Sequence, residues 1–173
     1  MKQQDKRTTF GRTMFNFTLH VSKFLMKHMW LYYILNYTWG IITTFAGWVA
    51  LGFVRLFLRK RVVEHGKFGP CHYAKFGDNW GGLEMGVNFF LADNMGEEWT
   101  LHTKQHECGH TFQNAIFGPL AIFLIYIPSA CRYWYDVFQA KKGNFLDDEW
   151  YDSIWFEGSA TTIGGIYYEE KIK

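Results

Sequence analysis

An uncharged apolar run dominates the first third of the chain. It covers residues 29–54, about 26 positions, which is enough helical rise to cross a bilayer with some tilt. Trp30, Tyr32 and Tyr33 near its start are typical of a membrane interface. The pattern predicts one membrane-spanning helix, and the open alternative is a buried core helix of a soluble protein.

Basic residues bound this run on both sides. Lys23 and Lys27 precede it. Four basic residues follow it: Arg55, Arg59, Lys60 and Arg61. Because cytoplasmic flanks carry the excess of lysine and arginine, this slightly denser cluster predicts that the rest of the chain lies on the cytoplasmic side. We therefore expect a basic segment with a membrane-spanning helix over residues 1–60 and a second domain over residues 61–173.

After residue 60 the pattern changes to short β-branched and aromatic stretches that are separated by glycines. Three of these stretches, 61–65, 72–76 and 83–90, have the length and composition of strands. We predict that they form a small antiparallel sheet, joined by turns that contain the glycines.

The next segment predicts the central helix of the second domain. Thr100 is a suitable N-cap, and Glu97 and Glu98 lie beside the positive end of the helix dipole. Gly118 and the proline after it form a stop signal. The helix is therefore expected to extend from Thr100 to Phe117.

Two further segments complete the chain. Residues 119–131 are apolar but only about 13 long, so they are expected to be re-entrant, interfacial or buried, with a bend near Pro128. A last helix over residues 152–168 is expected to pack closely on a neighbour, because it carries several small residues: Gly158, Ser159, Ala160, Gly164 and Gly165. The predicted fold class is α+β, mainly α.

The central helix carries the sequence His106-Glu107-Cys108-Gly109-His110. Residues four apart lie on one face of a helix, so His106 and His110 can present two imidazoles to one tetrahedral ion, with Glu107 beside it. Zinc lowers the pKa of a coordinated water toward about 7, and a neighbouring carboxylate can accept the proton. The motif predicts a catalytic zinc site with Glu107 as the general base.

A third ligand is available on the last helix, where Glu157 stands in the sequence Trp-Phe-Glu-Gly-Ser-Ala-Thr. Two histidines and one glutamate leave a fourth position open for water, as catalytic zinc requires. The prediction is one Zn²⁺ per chain, bound by His106, His110 and Glu157. The open alternative is that Glu157 is a solvated or ion-paired helix residue.

Two polar residues near the motif have open roles. About 12 Å of helical rise separates His102 from His110, which is too far for one ion to bind both together with His106. His102 is therefore a pocket or transition-state group, or a surface residue. Gln113 lies one turn beyond His110 and either orients a ligand or is an ordinary helix amide.

Composition and charge limit the kinds of molecule that the protein is expected to bind. Apolar residues make up 49% of the 173 residues and aromatic residues 20%, which favours contact of part of the surface with membrane lipid. The net charge of +2 provides no broad basic surface, so no nucleic-acid partner is expected. Cys71, Cys108 and Cys131 are odd in number and widely spaced, which argues against a disulfide framework.

The two motifs, His-Glu-Cys-Gly-His-Thr-Phe-Gln and Trp-Phe-Glu-Gly-Ser-Ala-Thr, together resemble those of the zincin metallopeptidases, specifically the gluzincin branch. Residues 77–165 are similar to small bacterial membrane proteins that have a His-Glu-x-Gly-His-Thr-x-Gln helix and a downstream Glu-x-x-Ala helix. The resemblance implies a minimal zincin-like core of an active-site helix, a small antiparallel sheet and a third-ligand helix.

The resemblance also implies roles for residues around the ion. An edge strand would bind an extended peptide by main-chain hydrogen bonds, and its residues are Leu83, Glu84, Met85, Gly86, Val87 and Asn88. Thr161 stands where similar motifs carry an aspartate that steadies a metal-bound imidazole, and Asp152 or a backbone carbonyl is the expected substitute. Tyr151, Tyr167 and Tyr168 are candidates for stabilising the oxyanion.

These features predict a membrane-associated zinc metallopeptidase that hydrolyses a peptide or protein substrate, with its active site on the cytoplasmic side. Two alternatives remain open. Thr161 leaves room for a non-peptidase zinc hydrolase, or for an inactive relative that binds a peptide without cutting it. The other is a structural or accessory membrane protein in which the motif is only a polar helix face.

Overall fold

The computed structural model describes residues 7–77, 81–92, 96–146 and 148–173, so residues 1–6 of the predicted basic segment lie outside the described residues. The described part is mainly helical with one four-stranded sheet, which confirms the predicted fold class. The helices are α1 (Thr9–Lys27), α2 (Met29–Tyr37), α3 (Ile41–Phe57), α4 (Glu97–Phe117), α5 (Ile127–Lys141), α6 (Asp148–Asp152) and α7 (Trp155–Lys171). The strands are β1 (Val62–Phe68), β2 (Cys71–Phe76), β3 (Gly82–Met85) and β4 (Asn88–Ala92).

The prediction of one membrane-spanning helix over residues 29–54 is wrong. The run forms α2 and α3, which are bent by 83° relative to each other. Within the described ranges, no single helix has the length and apolar character needed to cross a membrane. Two bent pairs reach that length and composition together: α2 with α3, and Glu97–Leu120 with Ile122–Lys141, the second pair bent by 115°.

Buried polar side chains explain the bend between α2 and α3. Asn114 of α4 donates from Nδ2 to Asn36 Oδ1 at 2.7 Å, and its Oδ1 accepts from Thr43 Oγ1 at 2.5 Å. In a straight helix, Asn36 and Thr43 would lie about 10.5 Å apart along the axis, too far for one amide to bond both. Gly40 lies at the corner, where a Cβ would come within 2.5 Å of Asn114 Nδ2.

The sheet has the strand order β1-β2-β4-β3. The β1–β2 and β3–β4 pairs are antiparallel, but β2 and β4 run parallel, so the prediction of an antiparallel sheet is wrong for the central pair. The predicted strand over residues 83–90 is interrupted by a turn at Gly86, which has a φ of +72°. A Cβ at Gly86 would also come within 2.3 Å of the Thr44 Cα in α3, so the turn packs directly against that helix.

The central helix α4 ends at Phe117 as predicted but begins earlier, at Glu97. Gly96 is the N-cap, and Thr100 instead donates from Oγ1 to the Gly96 carbonyl at 2.8 Å. Thr100 therefore lies inside the first turn rather than in front of it. The two acidic residues at the start of the helix still lie beside its positive end.

The apolar segment after α4 bends at a different place from the one predicted. It begins with a 3-10 turn (Gly118–Leu120) and a π-helical turn (Ile122–Tyr126), and the 115° change of direction falls between them. Pro128 lies in the first turn of α5. The π-helical turn continues directly into α5, so Pro128 lies inside one helical stretch, and the 115° bend precedes that stretch.

The last helix, α7, packs directly on α4. A Cβ at Gly164 would come 1.7 Å from the Gln105 carbonyl oxygen, and a Cβ at Gly109 would come 2.0 Å from the Ala160 carbonyl oxygen. The predicted close approach of small residues is therefore confirmed. It brings the start of α7 beside the middle of α4.

One hydrophobic core joins the two predicted parts of the chain. Leu25 and Met26 of α1 and Tyr32 of α2 pack in the same buried cluster as Phe89 of β4 and Phe112 of α4. Helices α1, α2 and α3 therefore form part of the structure that surrounds α4 and α7.

Candidate metal centre

Three side chains from α4 and α7 converge on one point. His106 Nε2 and His110 Nε2 lie 3.0 Å apart. Glu157 Oε2 lies 3.1 Å from the first of these nitrogens and 3.2 Å from the second. These three residues form a group that could hold a metal ion, and they are the three that the sequence predicts as ligands.

Hydrogen bonds on the other side of the ring set the protonation of His110. Gln113 donates from Nε2 to the Phe156 carbonyl at 2.7 Å and to Ser159 Oγ at 2.8 Å, so its Oε1 faces the imidazole. That oxygen lies 2.7 Å from His110 Nδ1 and can only accept. His110 Nδ1 therefore carries a proton, which leaves Nε2 as the nitrogen that can bind a metal ion.

Thr161 has the same effect on His106. The Thr161 hydroxyl donates to Asp152 Oδ1 at 3.1 Å, which leaves its oxygen to accept from His106 Nδ1 at 2.8 Å. Nε2 is therefore also the nitrogen of His106 that can bind a metal ion. Asp152 was expected as a substitute for the missing aspartate, and it acts through Thr161 rather than on the imidazole directly.

Two imidazole nitrogens and one carboxylate oxygen thus face each other with no proton supplied by a neighbour. Lone pairs at this separation repel each other, so a proton or a metal ion has to lie among them. Glu157 Oε1 is also buried and has no hydrogen-bond partner among the described residues. The residues present therefore fit a divalent metal ion.

The electrostatics of the group also favour a cation. Burial opposes ionisation of Glu157, but its hydrogen bonds to His106 and His110 hold its pKa well below the usual range. Burial lowers the pKa of His110, yet Glu157, Glu107 and Glu84 together raise it to about 9. In the metal-free protein the cation is therefore a proton, and a bound metal ion would displace it.

Glu107 lies between the two histidines in sequence and is 5% exposed. Its carboxylate reaches strand β3, where a Cβ on Gly82 would come within 2.1 Å of Glu107 Oε1. Glycine at this position therefore lets the strand approach the carboxylate. Burial raises the pKa of Glu107, and the nearby His106 and His110 partly offset that increase.

A cavity of about 530 Å³ opens beside the group, and His106, Glu107 and His110 form part of its wall. Most of the remaining wall is apolar and comes from α3, β3 and the segment after α4, including Ile42, Ala46, Ile125, Tyr133 and Trp134. Another cavity, of about 620 Å³, lies beside the start of α1 and is lined by none of the three converging residues.

The wall of the 530 Å³ cavity contains a second buried carboxylate, Glu84, which is 4% exposed. Neither of its oxygens accepts a hydrogen bond of normal geometry from a described residue. The Tyr126 hydroxyl is close enough to lower its pKa, but that hydroxyl donates to Asn114 Oδ1 at 3.3 Å. Burial raises the pKa of Glu84 to about 8, against the opposing effect of His110.

Among the three tyrosines considered for the oxyanion, the structure places Tyr151 at the site. It lines the cavity, and its ring centroid lies 6.3 Å from that of His106. Burial raises the pKa of its hydroxyl, which therefore stays protonated. Tyr167 packs in the core and Tyr168 stacks on Phe68, so neither lines the cavity.

His102 is exposed on α4 and does not line the cavity. It begins the stripe of histidines one turn before the site, and the cavity wall formed by α4 starts at His106. The structure therefore does not bring His102 together with the converging group.

The predicted peptide-binding strand is divided by the fold. Leu83, Glu84 and Met85 lie on β3, an outer strand of the sheet. Gly86 and Val87 form the turn, and Asn88 lies on β4, inside the sheet. The outer edge available for pairing with a peptide is therefore shorter than predicted.

Some residues of the site had no predicted role. Tyr126 and Ser129 lie in the segment after α4 that reads only as apolar, and Thr43 lies in the first apolar run. Ser159, which accepts from Gln113, was interpreted only as a small residue. Polar side chains inside apolar runs were the available signal, because such groups need a buried partner.

The site is thus a candidate metal centre of two histidines and one glutamate, with Glu107 beside it and an apolar cavity in front. Comparisons with protein-family models, curated proteins and solved structures find no match to this chain. The assignment of an activity therefore depends on the geometry and chemistry of these residues.

Proposed function

We propose that the protein is a zinc-dependent metallopeptidase. The observation that carries this proposal is the convergence of the ligand atoms of His106, His110 and Glu157 beside the Glu107 carboxylate. This donor set is one that catalytic zinc sites use, with a fourth position left open. Zinc held there would polarise a carbonyl and lower the pKa of a coordinated water toward about 7.

The residues around the zinc ligands support a hydrolytic role. Glu107 would accept a proton from the attacking water and pass it to the leaving amine. Its burial and raised pKa keep a proton on the carboxyl more readily than an exposed glutamate would. The neutral hydroxyl of Tyr151, on the cavity wall, would donate a hydrogen bond to the oxygen that becomes negative. The outer edge of β3 would bind the substrate backbone.

The contacts of Thr161 and Gln113 favour an active enzyme over an inactive peptide-binding relative. Both ligand histidines have an acceptor at Nδ1, and each acceptor is itself oriented by a further group. Such contacts fix the imidazole tautomer that binds a metal ion. The replacement of aspartate by Thr161 therefore does not leave His106 without an orienting partner.

We also propose that the enzyme works at a membrane surface. Apolar side chains are exposed along the outer side of α3, where Phe45 is 65% and Leu56 is 76% exposed. A second exposed apolar stripe follows α4 and includes Phe123, Ile127 and Trp134. Apolar surface on this scale is typical of contact with lipid or protein.

Flotation with lipid vesicles tests the membrane part of the proposal. Protein freed of detergent should float with vesicles, and Phe45→Asp with Leu56→Asp should reduce the floated fraction without changing the zinc content. Wild-type protein that stays folded and remains at the bottom of the gradient would contradict membrane association.

The catalytic part is tested by comparing wild-type protein with Glu107→Gln and His110→Ala. We expect one zinc ion per chain in the wild type and in Glu107→Gln, measured by mass spectrometry of the purified protein, and none in His110→Ala. Cleavage of a peptide library should fall by about 10³-fold or more in Glu107→Gln, because the general base is lost.

Glu98→Gln is a matched control, because Glu98 is exposed in the first turn of α4. It should bind zinc and cleave peptides as the wild type does. A wild-type protein without zinc after expression in metal-replete medium would overturn the proposal. Unchanged cleavage by Glu107→Gln would remove Glu107 from the mechanism.

A further inference from the structure

Among the described residues, the wall of the 530 Å³ cavity contains carboxyl groups but no basic side chain other than the ligand histidines. Glu84 and Glu107 line it, and Glu157 lies beside the ligand histidines. In the part of the chain that the structure describes, no lysine or arginine lines this cavity. A divalent ion at the metal centre would have the carboxyl groups of Glu157 and Glu107 beside it. Glu84 has no cation of its own, so burial, which raises its pKa to about 8, favours the neutral acid, and a bound cation would favour the ionised form.

The neighbouring guanidinium group is already bound elsewhere. Arg132 donates to the backbone carbonyl oxygens of Trp150 and Tyr151 and to Ser153 Oγ. The guanidinium carbon of Arg132 also lies over the Trp150 ring, 3.7 Å from the ring centroid. Arg132 therefore does not supply a partner for Glu84.

Glu84 is the carboxylate that lacks a partner. Glu157 faces the two ligand histidines, whereas neither oxygen of Glu84 has a hydrogen bond of normal geometry within the described chain. Burial of a carboxylate without a partner is strongly unfavourable, so such a group in a cavity wall indicates a missing ligand. A second metal ion does not fit, because Glu84 belongs to no group of three metal-ligating side chains among the described residues.

We propose that Glu84 binds a primary ammonium group of the substrate beside the bond that is cut. This inference rests on the proposed peptidase function and adds a requirement for a cationic substrate. An ammonium group can donate to both oxygens of Glu84, and its positive charge stabilises the ionised carboxylate. Apolar residues that line the same cavity, such as Ile42 and Ile125, suit the aliphatic atoms attached to that group.

Two parts of a peptide carry this chemistry: the amino terminus and a lysine side chain. The zinc-loaded enzyme should therefore be given matched peptides. In the first pair, the two peptides differ only in the amino terminus, which is free in one and acetylated in the other. In the second pair, both amino termini are acetylated, and the residues that flank the scissile bond are lysine in one peptide and norleucine in the other. We expect kcat/KM to be about 100-fold higher for the charged member of one pair, which identifies the source of the ammonium group.

Glu84→Gln removes the charge and keeps the shape of the side chain. It should abolish the preference for the charged peptide, measured as the ratio of kcat/KM for the two members of a pair. Glu98→Gln is the control and should keep the preference. Equal cleavage of both members of each pair by the wild type would overturn the inference, as would an equal loss on charged and neutral peptides in folded, zinc-loaded Glu84→Gln.

Binding of n-butylammonium separates this inference from the proposed function, because it needs no cleavage. It should raise the melting temperature of zinc-loaded Glu107→Gln protein, and n-butanol at the same concentration should not. The added substitution Glu84→Gln should remove the shift. A shift without cleavage of any peptide would support the ammonium site and contradict the proposed peptidase activity. If peptides are cut without the shift or the preference, only the ammonium site fails.

Discussion

Helix α4 buries polar groups on two sides in different ways. Toward α2 and α3, Tyr32 donates to Thr111 Oγ1 at 2.8 Å, and the Asn114 amide donates to Asn36 and accepts from Thr43. Each of these donors meets an acceptor. Toward α7 and β3, three ligand lone pairs converge and the Glu84 carboxylate has no partner.

This difference shows how a buried polar cluster with a structural role can be distinguished from a ligand site. Asn114 and Glu157 are both fully buried, so burial alone does not distinguish them. The balance of donors and acceptors does, because a complete set of hydrogen bonds leaves nothing for a ligand to satisfy. The α2–α3 side is a joint between helices, and the α7 side is a candidate binding site.

The largest expected effect comes from closing the space between α4 and α7. In Gly164→Ala the new Cβ would lie 1.7 Å from the Gln105 carbonyl oxygen, so α7 has to move away and carry Glu157 from the histidines. We expect a loss of about 3 kcal/mol or more in the free energy of unfolding, and loss of bound zinc. Denaturant titration followed by circular dichroism, together with metal analysis, measures both.

The next residue provides a control for this substitution. A Cβ on Gly165 meets no atom within 4 Å, so Gly165→Ala should stabilise the helix by about 0.5–1 kcal/mol and keep the zinc. If both variants lost zinc equally, helix packing would not explain how α7 positions its ligand.

The joint on the other side of α4 is tested by Asn114→Leu. This change leaves the buried Asn36 Oδ1 without its donor and the Thr43 hydroxyl with only the Gly40 carbonyl as acceptor, so we expect a loss of about 2–3 kcal/mol in the free energy of unfolding. The folded variant should still bind one zinc ion per chain. Loss of zinc at unchanged stability would show that the two sides of α4 are not separate in function.

A smaller effect is expected from Thr161→Val, which keeps the shape but removes the acceptor for His106 Nδ1. The dissociation constant for zinc should rise by about 10–100-fold, measured by competition with a chelator. Thr162→Val is the matched control, because the Thr162 hydroxyl donates to the Gly158 carbonyl of its own helix. An equal change in both variants would assign the effect to the helix rather than to the imidazole.

The smallest effect is expected at a partly exposed polar cluster, where Lys104 of α4 meets Glu64 and Tyr73 of the sheet. The hydrogen bond from Tyr73 holds the pKa of Glu64 below its usual value of 4.5, against the effect of burial and with help from Lys75. Because that pKa is lowered by folding, the ionised carboxylate stabilises the protein above about pH 4.5.

Glu64→Gln should therefore cost less than about 1 kcal/mol at pH 7, since the Glu64 side chain is 41% exposed. The difference from wild type should shrink as the pH falls below 4.5 and Glu64 becomes protonated. Thermal unfolding at pH 7 and pH 3.5 measures this. A difference that grows on acidification would assign the stabilisation to another group.

The position of the ligand histidines could be predicted from sequence because it depends on local geometry. His106 and His110 are four residues apart on a helix, and a helix fixes their separation whatever surrounds it. The small residues of α7 also indicated close packing, because a missing side chain lets two backbones approach.

The bend in the apolar run and the parallel pairing of β2 with β4 depend on distant contacts. The chain bends at Gly40 because Asn114, which is distant in sequence, forms hydrogen bonds with both Asn36 and Thr43. A hydropathy window averages Asn36 and Thr43 together with their apolar neighbours, so it does not reveal that they bind a distant residue. The free carboxylate of Glu84 is likewise invisible in sequence, because it follows from the surrounding residues that fail to pair with it.

The contact between α4 and α7 defines a longer genomic signature than the metal ligands alone. Gly109 and Gly164 are required where each helix meets a carbonyl oxygen of the other. The signature is therefore His-Glu-x-Gly-His followed downstream by Glu-x-x-Ala-x-x-x-Gly, which chance matches satisfy far less often than the short motif. If the proposed site is correct, a gene that keeps the two histidines and the glutamate but encodes a bulky residue at either glycine encodes a protein that binds no metal there.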